Sequence, residues 1–500
     1  MIVGALFLFG RLAELQIIKG NYFRTLAEEN RIRNIPIVAA RGEILARTGE
    51  VIVGNHTIKD DNEDGVINGW ARDYLFGQVL GHITGYLGEA SEGEVGKVDA
   101  KCPEKGPRRI GSWVGRSGLE EEYNCVLRGW DGEELIEVDS QGRKIRSLGQ
   151  KDPKPGENIQ TTIDIGLQKK VAEIFKGVTG AVVATDANGQ ILVLYSSPSF
   201  DPNVFVKGDK QSLKKRGGLL LDKSLPLFNR AIGGTYHPGS IFKIITATAG
   251  LEEGRIDRDY TYEDTGSIRV NEFTYANWYF TQYGGTEGKI GLERAIARST
   301  DTFFYKLGEI VGSGALADWA RKFGLDGKTK IDLPGEVANL VPSPEWKERV
   351  KGEPWFLGNT YHMAIGQGDL ALSPIAVHSI VLAVAANGKV CRPHFVLSEE
   401  ADCQDIGIKR ETLEEIKKGM VGVCSAGGTA YPFFDFEPQA ACKTGTAETS
   451  EKDKTHAWFT VMAPADFPEI VLTVLVEKGG EGSSVAAPLA REILDYWRGN

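Results

Sequence analysis

The stretch HPGSIFKIITATAGLEEG, residues 237–254, carries a serine and a lysine three positions apart at the start of an apolar helical pattern. Residues at i and i+3 share one face of a helix, so Ser240 and Lys243 can exchange a proton. A serine hydroxyl is a poor nucleophile until a base removes its proton, and a lysine whose pKa is lowered by burial can be that base. The spacing alone is a weak indication, because SLKK at residues 212–215 repeats it. We expect that second copy to be a solvated basic loop.

Two further short motifs follow along the chain. The triplet STD at residues 299–301 precedes the apolar run TFFYKLGEI, and KTGT at residues 443–446 lies on a predicted strand. A cationic lysine beside threonine hydroxyls suits a substrate carboxylate, and Gly445 leaves room for a substrate to lie against the strand. Taken alone, the triplet KTG is better interpreted as a strand end with a small turn residue. The three motifs in this order form the pattern of penicillin-binding proteins and serine β-lactamases.

The surrounding pattern predicts one antiparallel sheet covered by helices. Residues 180–197, GAVVATDANGQILVLYSS, read as a hairpin of two β-rich runs around an Asn-Gly turn. A mostly helical middle follows. Three strands then end the pattern (residues 439–448, 456–464 and 469–477), and the helix APLAREILDYW closes the chain. Near the N-terminus, residues 41–55 predict two short strands around Thr48-Gly49, and the acidic stretch His56–Gly65 predicts a loop.

Bulk composition excludes several classes of protein. With 500 residues, 41% hydrophobic and 25% charged, the chain fits an ordinary globular protein of two or more domains. The formal net charge of -10 argues against nucleic-acid binding. The six cysteines form no CxxC pair, which argues against a zinc ribbon or a thioredoxin-type site. Their even number permits disulfides, but we expect free buried thiols.

The N-terminus has two open interpretations. Residues 1–10 are almost wholly apolar before Arg11 ends the run, and a membrane span needs about 20 apolar residues. The segment is either an amphipathic helix, continued by Leu12, Leu15 and Ile18, or the outer half of a membrane anchor that begins upstream. Residues 11–36 read as helical and then extended.

The chain resembles the elongation-type class B penicillin-binding proteins, the penicillin-binding protein 2 branch, from about Arg11 to its end. The resemblance rests on the three motifs and on further segments in the same order: RLAELQIIKGNYFRTLAEENR, RGEI, GRSGLEEEYNCVLRGWDG, EVDSQGR, ILVLYSSPSFDPNVF, AIGQGDLALSPIA, HAWF and VAAPLA. It implies an α/β (α+β) penicillin-binding transpeptidase fold like that of serine β-lactamases, with an antiparallel sheet flanked by helices and an all-helical subdomain. It also implies a partial membrane-anchor helix at 1–20, an elongated N-terminal pedestal of the dimerisation type at 21–160, and a transpeptidase domain at 161–500.

The activity that the resemblance implies is a peptidoglycan D,D-transpeptidase acting during cell-wall elongation. Ser240 would attack the D-Ala-D-Ala end of a stem peptide and form an acyl-enzyme, which an amine of a second stem peptide resolves. Lys243 would be the general base, Ser299 would relay the proton to the leaving amine, and Asp301 would hold Lys243 and contact the substrate amide. Ionised Asp301 would also raise the pKa of Lys243 and weaken it as a base, an effect that Lys443 could offset.

The substrate-binding residues implied in the same way are Lys443, Thr444, Gly445 and Thr446. The lysine and threonines would bind the terminal carboxylate, and the backbone N–H groups of Ser240 and Thr446 would form the oxyanion hole. Some elongation-type relatives hold a metal between the first two motifs with carboxylates, His and Cys. No His or Cys lies between Lys243 and Ser299 here, so we expect no metal and no cofactor. His237, just before Pro238, is interpreted as part of the helix entry, and a Ser-His arrangement is the alternative.

The resemblance implies a single-pass anchor with an extracytoplasmic catalytic domain. The implied partners are β-lactams and a RodA-type glycosyltransferase of the elongation complex. Two departures qualify this. Ala46 stands where the family pattern has Asp, and Asn55 leads almost directly to ARDYLFGQVLGHITGYLG, so the usual head subdomain looks deleted. The competing functions are a β-lactamase or penicillin sensor on the same fold, or a non-catalytic cell-wall scaffold.

Overall fold

The computed structural model describes residues 2–59, 67–139, 141–397 and 401–499. The chain begins with helices α1 (Ile2–Ala13) and α2 (Gly20–Arg31), joined by a π-helical turn at Glu14–Ile18. Strand β1 (Ile32–Ile37) follows, which confirms the predicted helix and extended segment between residues 11 and 36. The apolar side chains of α1 are exposed. Among the described residues, the helices are too short or too polar to cross a membrane.

The N-terminal region then forms three small sheets. Its elements are β2 (Ile44–Leu45), β3 (Val51–Lys59), β4 (Ile67–Tyr74), α3 (Gly81–Thr84), β5 (Leu87–Glu89), β6 (Trp113–Gly115), α4 (Gly118–Glu122), α5 (Asn124–Leu127), β7 (Gly132–Val138), β8 (Lys144–Lys151) and β9 (Ile159–Gln160). The strand orders are β4-β3-β2-β9, β1-β7-β8 and β5-β6.

The predicted turn at Thr48-Gly49 joins β2 to β3, and Gly49 takes a φ of +85°, which favours glycine. The loop predicted for His56–Gly65 is partly wrong. His56 and Thr57 continue β3 and pair with Ala71 and Trp70 of β4, because extended pairing satisfies their backbone groups. Residues 60–65 of that predicted loop lie outside the described residues.

The remaining two thirds of the chain alternate strands and helices. In chain order they are α6 (Ile165–Ile174), β10 (Gly180–Thr185), β11 (Ile191–Ser197), α7 (Asn203–Val206), α8 (Lys210–Leu221), α9 (Arg230–Gly233), α10 (Lys243–Glu252), β12 (Thr261–Asp264), β13 (Ser267–Val270), β14 (Phe273–Ala276), α11 (Trp278–Tyr283), β15 (Gly288–Gly291), α12 (Leu292–Arg298), α13 (Asp301–Val311), α14 (Ser313–Lys322), α15 (Pro344–Lys351), α16 (Leu357–Ala364), α17 (Pro374–Ala385), β16 (Lys389–Cys391), β17 (Cys403–Asp405), α18 (Arg410–Val423), β18 (Ala441–Glu448), β19 (Thr455–Ala463), β20 (Ile470–Val476) and α19 (Ala487–Gly499).

The predicted antiparallel sheet is confirmed. Its strand order is β11-β10-β20-β19-β18, and each neighbouring pair is antiparallel. At the predicted Asn-Gly turn, Gly189 has a φ of +86°, and the Asp186 carboxylate accepts from the N–H groups of Asn188 and Gln190, both at 2.9 Å. Strand β18, which carries KTGT, is last in the strand order and so lies at an edge of the sheet.

Two buried apolar clusters hold the molecule together. The larger packs the sheet against α10, α13, α14 and α17. The smaller joins the N-terminal region to the sheet, because it combines Ile44, Leu80 and Leu119 with Val183 and Leu194. The N-terminal region and the five-stranded sheet therefore share a buried apolar contact.

The prediction of free buried thiols is wrong. The described cysteines form the disulfides Cys102–Cys125, Cys391–Cys403 and Cys424–Cys442, and none is free. Each bridge joins elements whose proximity comes from packing, so the linear spacing carried no pairing signal. Cys442 lies on β18, directly before Lys443, and Cys424 follows α18.

The solvated loop predicted at residues 212–215 is also wrong. These residues lie in α8, and Asp209 caps the N-terminus of that helix. Ser212 is buried and its hydroxyl donates to the Asp209 carboxylate at 2.7 Å. The cap satisfies the first backbone N–H groups of the helix, which favours helix over loop despite the basic residues that follow.

Candidate active site

Ser240 lies in a 3₁₀ turn, Gly239–Phe242, that runs directly into α10. Gly239 has a φ of +55°, and a side chain there would come within 2.8 Å of the Thr446 carbonyl oxygen. The Gly239 N–H donates to the Gly366 carbonyl at 2.9 Å. The glycine therefore lets the serine turn approach β18 closely.

Lys243 is fully buried one turn beyond Ser240. Its ammonium donates to the Asp301 carboxylate at 2.7 Å, to the Ser299 carbonyl at 2.8 Å and to the Ser299 hydroxyl at 3.2 Å. The Phe304 ring lies 5.3 Å from the same nitrogen. The three donors of Lys243 are thus directed at the second motif.

The second motif sits between α12 and α13. Ser299 takes the left-handed conformation, with a φ of +55°, and ends α12. This conformation turns its hydroxyl towards both lysines. Asp301 begins α13, and its carboxylate also accepts from the Trp278 N–H at 3.0 Å.

The third motif lies on β18 with Lys443 fully buried. Its ammonium group contacts the Ser299 hydroxyl at 2.8 Å and the Thr444 carbonyl at 3.0 Å. A side chain at Gly445 would meet Trp458 at 3.0 Å and Ile241 at 3.3 Å. The absence of that side chain keeps the strand close to the serine turn.

These contacts bring together Lys243, Ser299, Asp301 and Lys443. The turn that carries Ser240 lies against Gly445 and Thr446 of β18. The Ser299 hydroxyl lies between the two lysine amines, which gives a continuous polar chain from Lys243 to Lys443. The Lys443 nitrogen is buried against Ser299, and its contact with a substrate carboxylate stays a prediction. The threonine side chains of β18 are nearer the surface.

Burial sets the electrostatics of both lysines. Burial lowers the pKa of Lys243, and the neighbouring Asp301 carboxylate opposes this without reversing it. Burial, reinforced by the charge of Lys243, holds the pKa of Lys443 well below the ordinary value. Asp301 therefore favours a proton on Lys243 over one on Lys443, and each lysine can lose its proton more easily than an exposed one.

Some neighbouring residues were not singled out from the sequence. Gln367 donates to the Thr446 carbonyl at 3.2 Å and accepts from the Glu448 N–H at 3.3 Å, so it braces β18. It lies within the segment AIGQGDLALSPIA, which was a signal for it. Thr429 exchanges a hydrogen bond with Thr444 at 2.7 Å, and no local pattern pointed to this contact.

The histidines near Ser240 make structural contacts. The His237 ring bonds the Leu370 carbonyl at 2.6 Å, and the His237 carbonyl accepts from the Trp458 indole at 3.0 Å. His456 lies on β19, where its ring meets Tyr236 edge-on. In the described parts of the chain, the one group of residues with metal-ligand spacing is Asp99, Cys102 and Cys125, and both of its cysteines are in a disulfide.

The fold and the site place Ser240 between a helical subdomain and the edge strand of an antiparallel sheet, the arrangement of a serine acyltransferase. Residues 179–495 match the penicillin-binding protein transpeptidase domain, and residues 65–161 match the penicillin-binding protein dimerisation domain. The chain belongs to the penicillin-binding protein transpeptidase family.

Within this family, the chain is similar to members of the elongation-type branch. The chain is 31% identical to the peptidoglycan D,D-transpeptidase MrdA of Haemophilus influenzae, over 98% of this chain and 89% of that protein. PBP2 of Pseudomonas aeruginosa, solved with WCK 5153, is 30% identical with a TM-score of 0.79 over 93% of this chain and 96% of that one. PBP2 of Helicobacter pylori, solved with MreC, is 26% identical with a TM-score of 0.81 over 93% and 99% of the two chains.

Proposed function

We infer that the chain is a peptidoglycan D,D-transpeptidase that cross-links stem peptides through a serine acyl-enzyme during cell-wall elongation. The observation that carries this inference is the buried chain from Lys243 through the Ser299 hydroxyl to Lys443, one helical turn from Ser240. Such a chain both activates a hydroxyl nucleophile and returns a proton to a leaving amine.

Acylation begins when neutral Lys243 takes the proton of the Ser240 hydroxyl. The serine oxygen then attacks the carbonyl of the penultimate D-Ala, and the N–H groups of Ser240 and Thr446 bind the oxyanion, each contributing about 3–4 kcal/mol. Ser299 passes a proton from Lys243 to the leaving nitrogen. The peptide bond breaks, the terminal D-Ala departs, and Ser240 carries the acyl group as an ester.

Deacylation reverses the proton path. The amine of a second stem peptide attacks the ester carbonyl and loses a proton to Lys243 as the new peptide bond forms. The ester bond breaks, and Ser240 recovers its hydroxyl with the proton from Lys243. Microscopic reversibility makes one lysine sufficient for both half-reactions.

The donor carboxylate is proposed to bind the Thr444 and Thr446 hydroxyls in front of Lys443. A carboxylate arriving there favours the protonated form of Lys443. A charged Lys443 in turn repels the proton of Lys243, which frees that base when substrate is bound. This coupling offsets the effect of Asp301 on the pKa of Lys243, because the substrate carboxylate stabilises the charged form of Lys443.

We further propose the division into an anchor at 1–20, a pedestal at 21–160 and a transpeptidase domain at 161–500. The three disulfides support an extracytoplasmic catalytic domain, since such bonds persist in oxidising compartments. The exposed apolar side chains of α1 support membrane attachment. By likeness to the relatives, the partners are β-lactams, an MreC-type scaffold and a RodA-type glycosyltransferase.

Labelling with fluorescent penicillin tests the proposal. We expect the wild type and Ser212→Ala to be labelled and Ser240→Ala to remain unlabelled, because only Ser240 has the lysine chain beside it. Mass spectrometry of the adduct should give one long-lived penicilloyl group on Ser240. Rapid loss of that group would favour a β-lactamase, and absence of any label on folded wild type would favour a non-catalytic scaffold.

A further inference from the structure

A buried polar cluster lies behind Asp301, and the proposed reaction does not use it. At its centre is Asp264, at the end of β12, with 1% of its surface exposed. Its carboxylate accepts hydrogen bonds from the N–H groups of Gly266 (2.9 Å) and Glu287 (2.8 Å). It also accepts from the Thr302 hydroxyl at 2.7 Å and the Asn277 amide at 3.2 Å. Four donors on one buried carboxylate hold it in a single orientation.

Asn277 connects this carboxylate to the active site. Its side chain is fully buried, and its carbonyl oxygen accepts from the Asp301 N–H at 3.1 Å while its amide donates to Asp264. The next residue, Trp278, donates its N–H to the Asp301 carboxylate at 3.0 Å. Two consecutive residues therefore hold both the backbone and the carboxylate of Asp301.

The remaining carboxylate oxygen of Asp301 is the one that pairs with Lys243, at 2.7 Å. The charged groups facing Lys243 are Asp301 on α13 and Lys443 on β18. On the far side of the cluster, Arg298 of α12 pairs with Glu287 at 2.6 Å. The position of the Asp301 carboxylate is thus set from the side away from Lys243.

We propose that Asp264 and Asn277 are positioning residues that fix the Asp301 carboxylate against Lys243. They thereby keep this base in position beside Ser240. They touch neither the substrate nor the reacting atoms. The proposal rests on the proposed function, since it assigns Lys243 as the base. Loosening this support weakens the pairing that favours the protonated form of Lys243, and the neutral base then forms at lower pH.

The test is the pH dependence of the acylation rate constant for fluorescent penicillin in Asp264→Asn and Asn277→Ala. We expect the midpoint of the acid limb to move to lower pH by up to about one unit, the direction expected for Asp301→Asn, since an opposite charge in contact shifts a pKa by about one unit or more. The maximal rate should fall about tenfold, because a displacement of about 1 Å can cost up to a hundredfold.

The matched control is Asp332→Asn. Asp332 is another buried aspartate that accepts from the N–H groups of Phe395 and Val396 and from the Tyr123 hydroxyl, with no contact to Lys243. It should lose thermal stability and keep the wild-type midpoint. Thr302→Val is a milder variant of the cluster, because it keeps the side-chain volume and removes one donor to Asp264. We expect it to fold even if Asp264→Asn does not.

The outcomes separate this inference from the proposed function. A midpoint at lower pH in any folded variant of the cluster supports the positioning role. Wild-type midpoints and rates in every folded cluster variant, with only the melting temperature lowered as in the control, would overturn it. A wild type that penicillin does not label at Ser240 would instead contradict the proposed function.

Discussion

At the scale of single residues, the site depends on backbone conformations as much as on side-chain chemistry. Ser299 reaches both lysines because it takes a left-handed conformation that L-residues rarely adopt. Gly239 takes the same conformation beside Thr446. A serine and a glycine at these positions were visible in the sequence. Their dihedral angles were not, because such angles follow from the packing of α12 and β18.

Gly239→Ala tests this constraint. The added methyl group would lie 2.8 Å from the Thr446 carbonyl oxygen, and the left-handed conformation itself costs a non-glycine residue about 1–2 kcal/mol. We expect slower acylation by penicillin and a lower melting temperature. The control is Gly208→Ala, where a side chain would meet nothing within 4 Å. Equal acylation rates in the two variants would contradict this account of Gly239.

At the scale of elements, β18 is the strand on which the site depends. It pairs on one side with β19 and carries Lys443 inward to Ser299. Helix α18 and the serine turn both pack against it, and the Cys424–Cys442 disulfide ties the strand to the end of α18. The strand itself was predicted from the sequence, at residues 439–448. The disulfide was not, because the cysteines lie 18 residues apart with the 3₁₀ turn Tyr431–Phe433 between them.

Replacing this disulfide tests its link to the site. We expect the double variant Cys424→Ser, Cys442→Ser to lose about 2–4 kcal/mol of unfolding free energy and to be acylated more slowly, since Cys442 directly precedes Lys443. The double variant Cys391→Ser, Cys403→Ser should lose similar stability and keep its acylation rate, because that bridge joins β16 and β17 away from the site. Unfolding by denaturant and labelling kinetics measure the two effects. Equal rates in both double variants would show that the Cys424–Cys442 bridge has no role in positioning Lys443.

At the scale of the whole molecule, the N-terminal region and the transpeptidase region share a core. Leu80 packs within the cluster that includes strands β10 and β11, and Gln168 of α6 donates to the Val79 carbonyl at 2.8 Å. The Tyr123 hydroxyl also donates to Asp332 at 2.8 Å. Inside the N-terminal region, the buried Glu120 carboxylate pairs with both Arg41 and Arg72. We expect the shared apolar core and the hydrogen bonds between the two regions to couple their unfolding.

Leu80→Ala tests that coupling. Truncating a buried leucine costs about 2–5 kcal/mol, and the shared core should transmit this loss to the catalytic region. We expect penicillin labelling at Ser240 to be lost at a lower temperature, together with a single calorimetric transition. Leu75→Ala is the control, since that side chain is 53% exposed. Two separate transitions, with labelling unaffected, would show that the regions unfold independently.

Sequence patterns alone predicted the order of the three motifs, the hairpin at Asn188-Gly189, the strand with KTGT and the closing helix. Each of these is encoded within a few residues, where turn chemistry and hydrophobic period decide the conformation. Long-range packing, in contrast, brings Lys443 to Ser299 across 144 residues of chain, pairs the cysteines, and places Asp264 and Asn277 behind Asp301. These contacts join residues far apart in the chain, so they depend on how helices and strands pack and not on any local pattern.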